Sequence, residues 1–267
     1  MIAGRSAPML LVSLVAWLSA SPAHAGLSKA ALDEVRVDQH VGEILPPQSV
    51  VTDIDSGPTT LGKELGGQPA LAVFDDYTCQ TSCGVALEAL LHRLSGFSPR
   101  DYRIVVMSLD PKDGVKEARD FAQEHVTVPA QRASVRFTTE DEATTHSLTD
   151  TAGLRYTYDA EHDQFAHPTV ALLLDAKGTI RRYLDPFQAQ PLDMRLALTE
   201  AQGDKASIVN RIFLTCYAWN AATGTYTPLI GRILMAFCFL TVGLLAGGIL
   251  FLLRLERRRT ARQELLS

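Results

Sequence analysis

The chain has 267 residues, a formal net charge of −5 and 46% hydrophobic residues. Acidic and basic side chains are interspersed without a basic stripe, which argues against nucleic acid as a partner. The length allows one domain with a sizeable core and shorter segments at its ends.

The first 25 residues predict a cleaved secretory signal peptide. Arg5 precedes an apolar run over 9–20, and Ala23-His-Ala25 is a small-residue cleavage site that leaves Gly26 as the new N-terminus. The apolar run of twelve residues is too short to span a bilayer comfortably. We therefore expect the rest of the chain to be exported.

Strands and helices alternate in the predicted exported part. Short apolar runs indicate buried strands, and apolar residues at spacings of three and four indicate helices. The predicted elements are a hairpin over 50–61, strands over 70–74, 102–109, 135–137, 169–174 and 179–184, and helices over 85–94, 113–125 (N-cap Asp113), 141 or 144 to 151, and 192–201. This order is that of an α/β, thioredoxin-like domain with a central mixed sheet flanked by helices and an N-terminal hairpin extension.

A second apolar run covers 233–253, which is 21 residues without a charge and long enough for a transmembrane helix. A basic cluster over 254–262 follows and favours the cytoplasmic side. The predicted organisation is a signal peptide (1–25), an exported domain (26–205), a juxtamembrane segment (206–229), a transmembrane helix (230–254) and a basic cytoplasmic tail (255–267).

Cys79 and Cys83 lie where strand 70–74 passes into helix 85–94. The partial positive charge of a helix N-terminus lowers a thiol pKa and favours the thiolate. Three residues separate the two cysteines, instead of the two found in disulfide oxidoreductases, and this spacing favours convergence on a metal. Two thiolates suit Cu(I), and an added imidazole broadens the site to Cu(II).

His167, in Phe165-Ala-His-Pro168, is the candidate third ligand. It directly precedes strand 169–174, and in this fold the entry loop of that strand runs beside the helix N-terminus that carries the cysteines. The other histidines fall in the signal peptide, on predicted helices or in polar loops: His24, His40, His92, His125, His146 and His162.

Simpler interpretations remain open for these residues. The cysteine pair could form a structural disulfide, since exported proteins meet oxidising conditions. A lone histidine such as His167 is more often a hydrogen-bonding group at a strand edge than a ligand. Asp110 is simplest as a turn residue before Pro111, and Asp75 and Asp76 are expected to be solvated loop residues.

The exported part resembles the SCO/SenC copper proteins of cytochrome c oxidase assembly. The segments that carry the resemblance are 40–46, 61–65, 70–79, 106–111, 166–167 and 174–184, together with Cys83. The family's Cys-x-x-x-Cys matches Cys79 and Cys83, and its metal-binding histidine matches His167. Asp110 matches an acidic residue that the family keeps near the copper site.

The resemblance implies that the domain holds one copper ion, Cu(I) or Cu(II), through Cys79, Cys83 and His167, with Asp110 behind these ligands. It implies delivery of copper, received from an upstream donor protein, to the Cu(A) site of cytochrome c oxidase subunit II. The same cysteines could act as a redox pair that reduces the cysteines of that site. The alternatives are a membrane-tethered thiol-disulfide oxidoreductase of the periplasm and a docking module with a structural cysteine pair.

The C-terminal anchor, preceded by Cys216-Tyr217, resembles that of a bacterial branch of the family. This implies an inner-membrane protein with its main domain in the periplasm and its tail in the cytoplasm. The chain departs from the family at Gln80 and Gly84, because proline usually follows one of the two cysteines. Proline restricts a loop, so we expect a more mobile loop here.

Overall fold

The computed structural model describes residues 27–79 and 84–264. The predicted signal peptide, Gln80 and Cys83 therefore lie outside the described residues. The strands are β1 (Arg36–Val37), β2 (Val50–Asp53), β3 (Gly57–Thr60), β4 (Ala70–Asp75), β5 (Arg103–Ser108), β6 (Val135–Thr139), β7 (Leu154–Arg155), β8 (Thr157–Asp159), β9 (Gln164–Ala166), β10 (Ala171–Leu174), β11 (Ile180–Leu184), β12 (Tyr217–Asn220) and β13 (Thr225–Pro228). The α-helices are α1 (Lys29–Glu34), α2 (Leu61–Leu65), α3 (Val85–Arg93), α4 (Val115–His125), α5 (Pro129–Arg132), α6 (Glu142–Thr151), α7 (Pro191–Gln202), α8 (Ile208–Leu214) and α9 (Ile230–Glu264).

Seven strands form the main sheet in the order β11-β10-β4-β5-β6-β2-β3. β4, β5 and β6 are parallel, and the other pairings are antiparallel. Helix α3 connects β4 to β5, and α4 and α5 connect β5 to β6. The predicted α/β, thioredoxin-like fold is confirmed, including the N-terminal hairpin, which is β2–β3.

The central strand β4 is buried along its whole length. Its alternate residues enter two separate apolar clusters: Leu71 and Val73 pack with residues of α3, α4 and α7 on one face of the sheet. Ala72 and Phe74 pack with residues of α2 and α6 on the other face. Burial on both faces explains why β4 is a continuous apolar run in the sequence.

Helix α4 begins at Val115 with Gly114 as its N-cap, so the prediction that Asp113 caps it is wrong. The Asp113 carboxylate faces the sheet instead, where its Oδ2 accepts hydrogen bonds from the Tyr77 N–H at 3.0 Å and from the Ser108 hydroxyl at 2.6 Å. The side chain of Glu117 caps the helix by accepting from the Gly114 N–H at 3.1 Å.

Several elements were not predicted from the sequence, among them α1, α5 and the short pair β1–β7. The hairpin β8–β9 precedes His167, and α8 with the hairpin β12–β13 occupies most of the predicted juxtamembrane segment. A turn over 221–224 connects β12 to β13.

The predicted apolar helix at the C-terminal end is confirmed as part of α9. The stretch Leu234–Arg254 has 21 residues with a mean hydropathy of 2.5, and none of it is buried against the rest of the protein. Its length suits the hydrocarbon core of a bilayer.

Candidate metal centre

Tyr77 fixes the loop after β4 to the main sheet. This side chain is buried, and its hydroxyl lies 2.8 Å from the carbonyl oxygens of both Val106 and Thr138, on the two neighbouring strands. Cys79 follows two residues later, and its N–H donates to the carbonyl of Asp76. Cys79 therefore lies at the carboxyl end of the parallel strands, where it is half-buried.

Cys79 and His167 line one pocket of about 260 Å³. Gly84, the residue after Cys83, is also in its wall, together with residues of β9. The Cys79 sulfur lies 3.6 Å from Oε1 of Gln164. The structure therefore brings together the two described members of the predicted ligand set, although they are far apart in sequence.

His167 is held over the end of β4. Its side chain is 12% exposed, and its Nε2 lies 3.6 Å from Oδ1 of Asp75. Its Nδ1 lies 3.4 Å from the carbonyl oxygen of Pro168. Burial disfavours the charged imidazolium, but the adjacent Asp75 carboxylate outweighs this effect and raises the pKa of His167.

Asp75 links the histidine to the start of α3. Its Oδ2 accepts from the Gly84 N–H at 3.1 Å, and its Oδ1 accepts from the Asp76 N–H at 3.1 Å. The expectation of a solvated loop residue is wrong, because Asp75 still pairs with Ser108 of β5 and is 1% exposed.

Asp76 is fully buried, so the same expectation is wrong for this residue. Its Oδ1 accepts from the Thr78 N–H at 3.0 Å, and its Oδ2 accepts from the Phe165 N–H at 2.8 Å. One carboxylate thus ties the loop that carries Cys79 to β9, directly before His167.

Asp110 lies behind the pocket and not in its wall, as far as the described lining residues show. One carboxylate oxygen from each of Asp76, Asp110 and Asp113 lies within 4.8 Å of the others. Lys112 approaches Asp110 from the surface, with its Nζ 3.5 Å from Oδ2. Asp110 therefore lies close to Asp76, outside the described wall of the pocket.

Glu140 completes a set of five buried carboxyl groups at this end of the sheet, which we call the acidic layer: Asp75, Asp76, Asp110, Asp113 and Glu140. Burial raises the pKa of Asp113 to about 6 and that of Glu140 to about 8. Glu140 accepts from the Ser108 N–H at 3.1 Å and from the Thr138 hydroxyl. Burial thus favours the protonated forms of Asp113 and Glu140.

Gly84 has a structural reason to differ from proline. Its φ is +85°, whereas proline is fixed near −65°, and its N–H is used by Asp75. A Cβ at this position would lie 2.5 Å from Nε2 of His125. His125 is fixed in turn, with its Nδ1 2.8 Å from Oε1 of Glu88 and its ring 4.4 Å from that of Phe121.

Sequence reasoning missed His125, Gln164 and the hairpin that carries Gln164. The alternating segments on either side of the polar run 159–163 are a usable hairpin signal. His125 offers no such signal, because only the packing of α4 against α3 brings it to Gly84.

No protein-family model matches the chain, and no curated protein sequence matches it. Among solved structures, the chain is similar to a candidate electron transfer protein from Aquifex aeolicus VF5, with 19% identity, a TM-score of 0.54 and coverage of 61% of this chain and 95% of that one. It is also similar to ScoI from Bradyrhizobium japonicum with copper bound (16% identity, TM-score 0.45, coverage 61% and 98%). A SCO1/SenC family lipoprotein from Bacillus anthracis gives 19% identity, a TM-score of 0.48 and coverage of 60% and 94%.

Fold and site together define a thioredoxin-like domain with a cysteine sulfur and an imidazole in one pocket at the carboxyl end of its sheet. The solved structures to which this chain is similar include the two SCO/SenC proteins named above.

Proposed function

We propose that this chain is a membrane-anchored copper-binding protein that holds one copper ion through Cys79, Cys83 and His167. The observation that carries the proposal is the pocket shared by Cys79 and His167, with Gly84 in its wall. Thiolate and imidazole together are the donor set of copper sites in proteins. The cysteine-to-helix connection favours the thiolate form that such binding needs.

Asp75 positions His167 in this proposal. Metal-binding histidines commonly use their second ring nitrogen to contact a carboxylate or a carbonyl, which fixes the ring. Here Asp75 and the Pro168 carbonyl lie beside the two ring nitrogens. Copper would take the place of one contact, and the other would keep the ring oriented.

The copper is cargo, and we propose its delivery to the Cu(A) site of cytochrome c oxidase subunit II after receipt from an upstream donor protein. The resemblance to SCO/SenC proteins supports these partners. Cys79 lines the pocket and is half-buried, so in the reduced protein a partner's thiolate approaches its sulfur from the pocket. Transfer then proceeds by exchange of one thiolate ligand for another.

We also propose that α9 anchors the protein in a bacterial inner membrane, with the main domain in the periplasm. The stretch Leu234–Arg254 supports a single span. The basic residues that follow it support a cytoplasmic tail.

A second candidate function is thiol-disulfide exchange with the target's cysteines. The disulfide-bonded state of Cys79 favours it. In this reaction the reduced Cys79–Cys83 pair would give two electrons and two protons to a target disulfide, becoming a disulfide itself.

An anaerobic Cu(I) titration of the full chain in detergent tests the proposal. The reduced wild type should take up about one equivalent. His167→Ala should bind at least about tenfold more weakly, since losing a group that merely orients a ligand already costs about 10- to 100-fold. His146→Ala, which removes an exposed imidazole, is the matched control and should leave binding unchanged.

Copper binding that His167→Ala leaves intact would contradict the three-ligand site. Thiol-linked turnover that persists in His167→Ala and is lost in Cys79→Ser, without stoichiometric copper binding, would favour the exchange function.

A further inference from the structure

Helix α8 presents an apolar face to solvent. The side chains on this face are Ile208, Val209, Ile212 and Phe213, which are 75%, 74%, 62% and 46% exposed. Ile208 and Ile212, and Val209 and Phe213, are four residues apart, and Val209 and Ile212 are three apart, so the four side chains share one side of the helix. A contiguous exposed apolar surface of this kind marks an interaction site.

The opposite face of α8 is fixed to the domain. Leu214 packs against the main apolar cluster, and the helix lies along α7. Its first turn is capped by Ser207, whose hydroxyl oxygen accepts from the Asn210 N–H at 3.2 Å. The helix that carries the exposed apolar face is therefore fixed to the domain.

The end of α8 lies beside the start of α9. The Leu229 N–H donates to the carbonyl of Cys216 at 2.7 Å, and Tyr217 pairs with Pro228 across the hairpin between them. The apolar stretch begins at Leu234. The five steps along the chain from Leu229 to Leu234 correspond to about 7 Å at the helical rise of about 1.5 Å per residue. This is similar to the thickness of the headgroup region on one side of a bilayer.

We propose that the apolar face of α8 lies in the headgroup region of the bilayer that α9 spans, so that lipid is its occupant. The proposal rests on the span proposed above. Interfacial helices bury their apolar side at this depth. Two attachments, α8 and α9, restrict the tilt of the domain, so the copper pocket faces its partners at a fixed angle to the membrane.

Tryptophan quenching in vesicles tests this proposal. The full chain is reconstituted into phosphatidylcholine–phosphatidylglycerol vesicles with or without lipids brominated in their acyl chains, and the wild-type signal is subtracted. Phe213→Trp and Val209→Trp report on α8. Phe239→Trp reports on the span, and Val50→Trp, at a 66% exposed position of β2 near the far edge of the sheet, is the solvent control.

Both α8 probes should be quenched about three-fold more than Val50→Trp, because an interfacial helix reaches the acyl boundary. Adding Ile212→Asp to Phe213→Trp should lower the quenching about two-fold, since a charge opposes insertion. Adding Asn210→Asp, outside the apolar face, should leave it unchanged.

If the α8 probes match Val50→Trp while Phe239→Trp is strongly quenched, the inference is overturned and the span stands; a face kept for a protein partner would give this result. If Phe239→Trp is also unquenched, the proposed span itself fails.

Discussion

The acidic layer buries carboxyl groups, which are usually exposed, whereas α8 exposes apolar side chains, which are usually buried. The five carboxyl groups of the layer are at most 7% exposed, whereas the four apolar side chains on α8 are 46% to 75% exposed. Carboxylates are almost never buried without partners, and exposed apolar surfaces are rarely contiguous. The difference indicates that each region is shaped by something other than the stability of the domain: the pocket beside the layer and, in the proposal above, the bilayer beside α8.

The free-energy cost of the buried carboxyl groups is partly offset within the described part of the protein, whereas that of the exposed apolar side chains is not. Backbone N–H groups satisfy much of the layer, as Gly84 does for Asp75 and Phe165 does for Asp76. Asp113 Oδ1 is buried without a hydrogen-bond partner among the described residues, so a cost remains. The apolar face of α8 finds no compensation within the described part of the chain. Mutations should therefore cost more in the layer than at α8.

The largest effect is expected for Asp75→Ala. Removal of the carboxylate leaves the N–H groups of Gly84 and Asp76 unpaired and takes the counter-charge from His167, which should cost about 3 to 5 kcal/mol. The melting temperature of the full chain in detergent should fall by about 10 °C. Asp120→Ala, which breaks an exposed pair with Lys116, is the control and should change stability by less than about 0.5 kcal/mol. Equal effects of the two substitutions would contradict the role of Asp75.

Glu140→Gln should remove part of the pH dependence of stability. The pKa of Glu140 is raised from 4.5 to about 8 on folding. The unfolded carboxyl group therefore releases its proton first, and wild-type stability falls as pH rises from about 4.5 to about 8. Glutamine can still accept from the Ser108 N–H and donate to the Thr138 hydroxyl. We expect a gain on the order of 2 kcal/mol at pH 8 and little change at pH 4.5.

Melting curves at a series of pH values check this prediction, with the exposed Glu161→Gln as the control. A wild-type stability that rises between pH 5 and pH 8, or a variant as pH-dependent as the wild type, would contradict it.

Gly84→Ala should destabilise the protein by about 2 kcal/mol. A residue with a side chain resists the positive φ, and the added methyl group meets the ring of His125. Gly96→Ala is the matched control, since no atom lies within 4 Å of a Cβ at that position. Combining Gly84→Ala with His125→Ala should recover the part of the lost stability that is due to the contact between the new methyl group and the His125 ring. A double-mutant cycle by urea unfolding measures this part. If the effects of the two substitutions on the free energy of unfolding simply add, the protein accommodates the contact at no cost.

The smallest effect is expected at α8, where Ser207→Ala removes the N-cap. The loss should be about 0.5 to 1 kcal/mol, seen as a drop of about 2 °C in melting temperature. Ser147→Ala on the exposed side of α6 is the control. A loss as large as that of Asp75→Ala would show that α8 is integral to the domain and would remove the contrast drawn here.

Much of the fold could be predicted because its buried strands are short apolar runs, as for β4 and β10. Because β4 packs against apolar clusters on both of its faces, its sequence is a continuous apolar run, and such a run predicts a central strand. The position of His167 in one pocket with Cys79 could be predicted because the fold fixes where the loop before β10 must pass. These features depend on local pattern and on topology.

The rest depends on packing between distant segments. Asp75 and Asp76 follow an apolar strand and have the composition of a loop, and only pairing with β5 and cover by β9 bury them. Asp113 is a good helix N-cap by composition, but Ser108 and Tyr77 engage its carboxylate. Such competition between partners is not visible in a single sequence.

The most direct test of the central claim is X-ray absorption spectroscopy at the copper edge on the full chain loaded with Cu(I) in detergent. We predict sulfur ligands and one imidazole in the wild type, with the imidazole scattering lost in His167→Ala and retained in His146→Ala. A wild-type spectrum with sulfur ligands alone, or an imidazole contribution that His167→Ala leaves unchanged, would contradict the assignment of His167 as a copper ligand.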